Sequence, residues 1–279
     1  MSYSINVGFF TGKHHNMPLE DALALIAKIG FDAVDYTGDL RNPDAIKTAA
    51  AERDLIERNG LFITQTHAPF NRYNKYMEEY FPALERAYER TKILGAKYLV
   101  VHGDEYPFDK YEFSYERALA YNYEIFAPYV ERAERDGIAL AFETVFQDLA
   151  PEKVRFCSRA EDLKELIEKF NSPAAVCCWD FGHANIAFGT EQADKIRLLG
   201  KHIKCTHVHD NRLGKDIHHA LFTGDSDLVG IRRAFRDIGY DGIFSLELGG
   251  AQKMNFVPEV REIYAKYALA SLKVFDALQ

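Results

Sequence analysis

Short apolar runs alternate along the chain with longer segments in which apolar residues recur every three or four positions. The short runs are rich in β-branched and aromatic residues and predict buried strands, whereas the three- and four-residue spacing predicts amphipathic helices. Eight such runs occur, at residues 5–10, 31–37, 61–67, 97–102, 138–143, 174–180, 203–209 and 243–248.

The segments between the runs carry the start and stop signals of helices. A helix is expected after Pro18, and long helices over 77–95 and 115–137 each end at a glycine. Ser158 lies three residues before Glu161, which is the spacing of a capping box and predicts a helix start at that point.

A strand followed by a helix, eight times over, predicts a parallel sheet with right-handed crossovers. Eight units close into an α/β fold of the (β/α)8 TIM barrel type, whereas doubly wound sheets usually need fewer repeats. Since no Pro- or Ser-rich linker interrupts the series, residues 1–279 are expected to form a single TIM-barrel domain.

The composition narrows the class of protein. The chain is 47% hydrophobic and 27% charged, which is typical of a soluble protein, and its net charge of -8 disfavours nucleic acid as a partner. No apolar run approaches the ~18 residues of a membrane span, and the start MSYSINVGFF does not resemble a signal peptide. The cysteines form no CxxC pair and lie in apolar segments, so we expect reduced thiols in a cytoplasmic protein.

Metal-capable side chains stand at the ends of six consecutive runs. Active sites of TIM barrels lie at the carboxyl ends of the strands, so these side chains are expected to converge on one barrel mouth. Imidazole and carboxylate groups are the common ligands of divalent ions. The residues are His67, His102, Glu143, Asp180, His207 with His209, and Glu247.

The stretch THVHDNRLGKDIHH, residues 206–219, holds four of the ten histidines. Because side chains alternate along a strand, His207 and His209 are expected to point the same way, with His207 deeper. The residues that follow are expected to form a loop from which Asp216 and His218 reach back over the mouth, while His219 faces solvent. His183 lies three residues after Asp180 and is expected to meet the same site.

The ligand types indicate which metals fit. A set of two Glu, one Asp and one His is rich in oxygen and suits Mn²⁺, Mg²⁺ or Co²⁺, and Zn²⁺ is compatible with it. The number of ions stays open, because further candidate ligands surround this set. They are His67, His102, His183, His209, Asp216 and His218.

Several motifs resemble those of the xylose isomerase-like TIM barrels over essentially the whole chain. They are HAPF (67–70), VHG (101–103), FET (142–144), DFGHANIAFG (180–189), HVHDN (207–211), DIHHALFTGDSDL (216–228) and LEL (246–248). This superfamily contains sugar and sugar-phosphate isomerases and epimerases, and also AP endonucleases of the endonuclease IV type. The tagatose epimerase branch implies one divalent ion held by Glu143, Asp180, His207 and Glu247. It also implies that His183 and Arg212 bind substrate.

The AP endonucleases offer an alternative, because all nine of their zinc-ligand positions find a match. These are His67, His102, Glu143, Asp180, His183, His207, Asp216, His218 and Glu247. The long helix before the fifth run resembles the isomerase branch, and the acidic composition disfavours DNA. A non-catalytic barrel that senses a sugar is a third class, disfavoured because the pair of glutamates is intact.

The favoured resemblance implies a divalent-metal-dependent isomerase or epimerase of ketoses or sugar phosphates, in carbohydrate metabolism. Such an enzyme removes a proton next to a carbonyl, and the metal stabilises the enediolate. Glu143 and Glu247 are expected to transfer the proton. His183, Arg212, His67 and His102 are expected to hold hydroxyls or a phosphate. A homodimer is common in the superfamily, and no interface can be identified from the residues.

Aromatic residues near the strand ends are expected either to pack in the core or to line the pocket. Trp179 is expected to pack outward against a helix, because it alternates with Asp180. Phe10, Phe70 and Phe146 are expected to form the apolar side of a sugar pocket.

Overall fold

A computed structural model describes residues 2–12, 17–70, 77–147, 154–249 and 257–279. Eight parallel strands form one sheet, in the order β10, β1, β2, β3, β4, β5, β6 and β7. A bridge between Val208 and Leu246 joins the two end strands, so the sheet is nearly closed. The prediction of a (β/α)8 barrel is confirmed. The strands are β1 (Tyr3–Asn6), β2 (Ala33–Asp35), β3 (Phe62–His67), β4 (Tyr98–His102), β5 (Ala139–Glu143), β6 (Ala175–Asp180), β7 (Ile203–His207) and β10 (Phe244–Leu246).

Helices follow the strands. They are α1 (Gly8–Thr11), α2 (Leu19–Ile29), α3 (Ala45–Arg58), α4 (Met77–Leu94), α5 (Tyr115–Asp136), α6 (Ala160–Phe170), α7 (Phe181–Phe188), α8 (Gln192–Leu199), α9 (Leu228–Asp237) and α10 (Pro258–Ala277). Among the residues described, no helix combines the length and the apolar character needed to cross a membrane.

Local signals explain most of the helix boundaries. Ser114 caps α5 by accepting a hydrogen bond from the N–H of Arg117 over 3.4 Å, and Gly137 ends the helix with φ 74°. Gly95 follows α4 with φ 73°. The capping box predicted at Ser158 is wrong. Helix α6 begins at Ala160 after Arg159, because the N–H of Ser158 bonds to Arg155 O over 3.1 Å in a preceding turn.

Two predicted elements differ from the structure. The first run was expected to be extended over 5–10, but β1 ends at Asn6 and the chain turns into α1. The segment expected to be a loop after β7 is an antiparallel hairpin of β8 (Asp210–Arg212) and β9 (Lys215–His219). This hairpin projects from the barrel at the carboxyl end of β7 and carries part of the candidate site.

The core lies between the strands and the surrounding helices. Trp179 is fully buried and stacks on Phe188 of α7, with ring centroids 6.1 Å apart, which confirms its outward packing. The four cysteines are buried and unpaired by disulfides, as expected. Burial raises the pKa of the Cys177 thiol well above its ordinary value, so this thiol is a core group and not a nucleophile.

Candidate active site

Four side chains meet at the carboxyl ends of the strands. Glu143 ends β5, Asp180 ends β6, His207 ends β7, and Glu247 directly follows β10. One ligand atom from each lies within 4.8 Å of those of the other three. Glu143, Asp180 and His207 are almost fully buried, whereas the side chain of Glu247 is 25% exposed. The barrel therefore gathers three carboxylates and one imidazole around one point.

Glu143 lies at the centre of this cluster. Its Oε2 atom is 2.9 Å from Nε2 of His102 and 3.1 Å from Nε2 of His67, and its Oε1 atom is 2.8 Å from Nδ1 of His207. Burial would raise the pKa of Glu143, but the charges of His207 and His102 and the hydrogen bonds hold that pKa well below its ordinary value. Glu143 is thus an ionised carboxylate.

A second group adjoins the first. It consists of His183, His209, Asp216 and His218, whose ligand atoms also lie within 4.8 Å of one another. Nε2 of His218 is 3.0 Å from Oδ1 of Asp216, and Nε2 of His183 is 3.8 Å from Oδ2 of Asp216. Burial lowers the pKa of His218, but the charges of Glu247 and Asp216 outweigh this effect and raise it to about 9.

His209 joins the two groups. Its Nε2 atom is 3.0 Å from Oδ2 of Asp180, and its ring stacks on His218 with centroids 3.8 Å apart. Like His207, His209 is fully buried. Strand β7 has already ended at His207, so pairing in β7 does not hold His209 in place.

Backbone carbonyls orient three of the imidazole rings. Nδ1 of His67 faces Ala68 O at 2.6 Å, Nδ1 of His183 faces Thr144 O at 3.0 Å, and Nδ1 of His218 faces Glu247 O at 3.1 Å. Because a carbonyl oxygen only accepts, each Nδ1 carries a hydrogen, and Nε2 of each ring faces a carboxylate. Such a nitrogen and a carboxylate oxygen can face each other only with a proton or a cation between them. This arrangement fits a metal site.

Two buried polar atoms give the same indication. Oε2 of Glu247 and Nδ1 of His209 have no hydrogen-bond partner among the residues that the structure describes. Buried acceptors without a partner are costly unless a cation or a donor compensates them. The donor set of carboxylate oxygens and imidazole nitrogens matches divalent first-row metals and Mg²⁺.

His102 is oriented differently from the other histidines. Nη2 of Arg155 lies 3.4 Å from Nδ1 of His102, and a guanidinium group can only donate. Nδ1 of His102 is therefore the acceptor, and its Nε2 carries the hydrogen that is donated to Glu143. Arg155 is in turn paired with the buried Asp104. His102 thus presents a donor to Glu143 and not a free lone pair.

Close packing next to Asp180 requires a glycine at position 182. Asp180 caps α7 by accepting a hydrogen bond from the N–H of His183 over 2.6 Å. A Cβ atom on Gly182 would lie 2.0 Å from Cε1 of His209 and 2.6 Å from Nδ2 of Asn211. Only glycine therefore fits at position 182, against His209 and Asn211.

The β8–β9 hairpin positions Asp216 and His218. Oδ1 of Asn211 accepts hydrogen bonds from the N–H groups of Ile217 and His218 over 2.8 and 3.2 Å. This side chain holds the two strands in register where the backbone of His218 adopts φ 48°. His219, expected to face solvent, is partly buried.

A cavity of about 820 Å³ opens beside the cluster. Its lining includes three residues of the site, Asp35, His67 and Glu247, together with Asp39, Arg41 and Phe70. Phe70 stacks on His102 with centroids 5.1 Å apart, and the ring of Phe146 lies 5.2 Å from His183.

Three residues that the sequence predicted for the site or its pocket lie outside the ligand groups. Phe10 is fully buried and packs edge-on against Phe9, so it belongs to the core and not to the pocket. Arg212 is exposed on β8 and belongs to neither ligand group. His102 is close to the cluster, but no ligand group of the described residues includes it.

Asp35 and Arg155 are contacts of the site that the sequence did not reveal. Oδ2 of Asp35 lies 3.2 Å from Nε2 of His207, on the opposite side of the ring from Glu143. Asp35 ends β2 in the same way that the predicted ligands end their strands, so its position at a strand end was an available signal. Arg155 lies in the connection before α6, and its spacing gives no comparable signal.

Residues 23–273 match the xylose isomerase-like TIM barrel family. The match spans most of the chain and includes every ligand position of both groups. The fold is thus that of a known class of barrel. The chain belongs to the xylose isomerase-like TIM barrel family.

Individual proteins resemble the chain at low sequence identity. The uncharacterized protein MJ1311 of Methanocaldococcus jannaschii is 26% identical over 245 residues, which cover 82% of this chain and 78% of that protein. A D-tagatose 3-epimerase-like protein has a TM-score of 0.73 and 23% identity, with 99% of this chain and 98% of that chain covered. D-psicose 3-epimerase of Clostridium cellulolyticum H10, solved with D-tagatose, has a TM-score of 0.77 and 14% identity, with 99% of both chains covered. These structures share the fold.

Proposed function

We propose that the chain is a divalent-metal-dependent sugar isomerase or epimerase that moves a proton on the carbon next to a carbonyl. The observation that carries this proposal is the convergence of Glu143, Asp180, His207 and Glu247 within 4.8 Å of one another at the barrel mouth. Structures of sugar 3-epimerases with the same barrel support it.

The four converging side chains would hold the cation. Nδ1 of His207 lies 2.8 Å from Oε1 of Glu143 and 3.6 Å from Oε2 of Glu247, and the latter oxygen has no hydrogen-bond partner among the described residues. A divalent cation bound there would stabilise the negative charge that develops on the carbonyl and hydroxyl oxygens of the sugar.

The two glutamates would transfer the proton. Glu143 and Glu247 come from strands β5 and β10, which lie on different sides of the barrel, so they can approach a bound sugar from two faces. The pKa of each is lowered despite burial, Glu143 chiefly by the charges of His207 and His102 and Glu247 chiefly by those of His207 and His218. Both carboxylates are therefore ionised and able to accept a proton.

The cavity favours an unphosphorylated sugar. Its lining includes Asp35, Asp39 and Glu247, whereas Arg41 is the only Lys or Arg among the described lining residues, and its Nε atom already binds Asp39 over 2.9 Å. Apart from the proposed cation, the described lining residues therefore give a phosphate a net negative surface. Hydroxyl groups of a neutral ketose can instead donate to these carboxylates, and His67, His183 and Arg212 are proposed to bind the remaining hydroxyls.

Proton exchange tests this function. The protein is incubated in D₂O with a panel of ketoses and, separately, ketose phosphates, with Mn²⁺ or Co²⁺ present, and deuterium is measured at the carbon beside the carbonyl. Exchange on at least one neutral ketose, lost after chelation, is the expected result. Absence of exchange on every sugar would contradict the proposal, and exchange restricted to phosphates would contradict the substrate class.

A zinc phosphodiesterase of the AP endonuclease type is the second candidate. The observation that favours it is the adjoining group of His183, His209, Asp216 and His218, which provides ligands for a further ion. Counting metal ions by native mass spectrometry separates the two. Three zinc ions per chain, together with nicking of a duplex that contains an abasic site, would favour the nuclease over the epimerase.

A further inference from the structure

Strand β2 contributes a carboxylate to the site that the ligand pattern does not include. Asp35 is only 8% exposed, and its Oδ2 atom lies 3.2 Å from Nε2 of His207. His207 comes from β7, which is not a neighbour of β2 in the sheet, so this contact crosses the interior of the barrel.

Gln65 holds Asp35 in place. Its Nε2 atom donates one hydrogen bond to Oδ2 of Asp35 over 3.1 Å and a second to Thr206 O over 3.2 Å. The amide is 1% exposed, so both of its hydrogens are used inside the barrel. Since Thr206 precedes His207, Gln65 ties the carboxylate of β2 to the same strand that carries the imidazole.

The two ring nitrogens of His207 face opposite partners. Nδ1 faces the cluster, at 2.8 Å from Oε1 of Glu143 and 3.6 Å from Oε2 of Glu247, whereas Nε2 faces Asp35. A carboxylate accepts a hydrogen bond only when the ring nitrogen carries the hydrogen. Nδ1 also faces a carboxylate, so it too carries a hydrogen as long as no cation is bound. When a cation replaces that hydrogen, Nε2 keeps its own hydrogen against Asp35 and Nδ1 supplies the lone pair.

We propose that Asp35, held by Gln65, is a positioning residue that keeps the hydrogen of His207 on Nε2 and so presents Nδ1 to a divalent cation. This inference rests on the proposed metal-dependent function. Hydrogen bonds from a ligating histidine to a carboxylate fix the ring orientation and raise its basicity, and their loss typically costs about 10- to 100-fold in metal affinity.

Cobalt binding provides the first test. Asp35→Ala is titrated with Co²⁺ in the absence of sugar and is expected to bind it about 10- to 100-fold more weakly than the unchanged protein. Asp35→Asn keeps an oxygen that can accept from both Gln65 and His207, so it is expected to restore most of the affinity. Asp39→Ala is the matched control, because it removes another carboxylate of the same cavity, one that binds Arg41.

The Nε2–H proton of His207 provides the second test. In ¹⁵N-histidine-labelled protein this proton is expected to exchange slowly with water, and in Asp35→Ala it is expected to exchange fast. The signal is read both with Zn²⁺ and after chelation. If Asp35→Ala does not fold, Asp35→Leu supplies the same readout, because it also lacks an acceptor for Nε2–H and is close to Asp in size.

Failure of this inference differs from failure of the proposed function. Unchanged Co²⁺ affinity in Asp35→Ala, or a slowly exchanging Nε2–H that survives there, would overturn the role of Asp35. An unchanged protein that binds no divalent cation would instead contradict the proposed function, while the exchange of Nε2–H would still report on the contact between Asp35 and His207.

Discussion

Nε2 of His102 donates a hydrogen bond to Oε2 of Glu143 over 2.9 Å. The direction of this bond follows from Arg155, which occupies the other ring nitrogen with a group that can only donate. Glu143 therefore receives a donor from β4 and, on its other oxygen, faces an imidazole from β7. One carboxylate is placed between a fixed donor and a proposed cation site.

Glu143→Gln should abolish turnover and leave the barrel folded. The amide keeps the size of the side chain but cannot accept the substrate proton, and loss of a general base typically costs about 10²- to 10⁴-fold in rate. The rate of deuterium exchange and the far-UV circular dichroism spectrum measure the two effects. Activity close to that of the unchanged protein would remove Glu143 from proton transfer.

His67→Asn and His102→Asn should differ in their effect on metal binding. His67 belongs to a ligand group with Glu143 and His207, and a backbone carbonyl directs its Nε2 lone pair inward. His102 already uses its Nε2 hydrogen on Glu143. We expect His67→Asn to weaken Co²⁺ binding about 10-fold or more, and His102→Asn to change it by less than about 3-fold. Equal losses in the two variants would show that His102 is also a ligand.

Gly182→Ala should destabilise the protein by about 1–3 kcal/mol, the usual cost of overpacking. The added Cβ would lie 2.0 Å from Cε1 of His209, which is itself stacked on His218. Gly8→Ala is the control, because nothing lies within 4 Å of its added Cβ. Urea denaturation of both variants measures the difference. A stability equal to that of Gly8→Ala would mean that His209 can move aside at little cost.

Removal of metal should lower the melting temperature. Glu143, Asp180 and Glu247 bring three carboxylates together, and a cation that binds only the folded state stabilises that state by mass action. Chelation should therefore lower the melting temperature measured by calorimetry, and Mn²⁺ or Co²⁺ should restore it. Glu247→Gln should reduce the response, since it removes one ligand. A melting temperature that does not depend on added metal would contradict the proposed site.

Asp162, a residue of α6 away from the candidate site, should make the free energy of unfolding depend on pH. Burial at the start of α6 raises its pKa from 3.8 to about 6, so the folded protein holds the proton more tightly than the unfolded chain does. This contribution is fully present below pH 3.8 and is lost as the pH rises through about 6. Asp162→Asn should flatten the fall in unfolding free energy between these values.

The control for this pH dependence is Asp194→Asn, whose carboxylate is 80% exposed on α8. Urea denaturation from pH 4 to 7 should give the same profile for Asp194→Asn as for the unchanged protein. An unchanged profile in Asp162→Asn would show that Asp162 titrates alike in the folded and unfolded states.

The order of strands and helices followed from the sequence, because apolar periodicity and glycine stops are local properties. Strands β5 and β6 lie where the apolar runs predicted them, and α5 ends at the predicted Gly137. The gathering of Glu143, Asp180, His207 and Glu247 also followed, since parallel strands of a barrel end at the same face.

Only the tertiary structure decided how the histidines are used. The hydrogen on each ring depends on a partner distant in sequence or on a backbone carbonyl: Arg155 for His102, Asp35 for His207, and Glu247 O for His218. The hairpin of β8 and β9 likewise depends on Asn211, which a polar stretch does not distinguish from a loop. Strand order can be read from local pattern, but the direction of a hydrogen bond is set by the groups that the fold brings together.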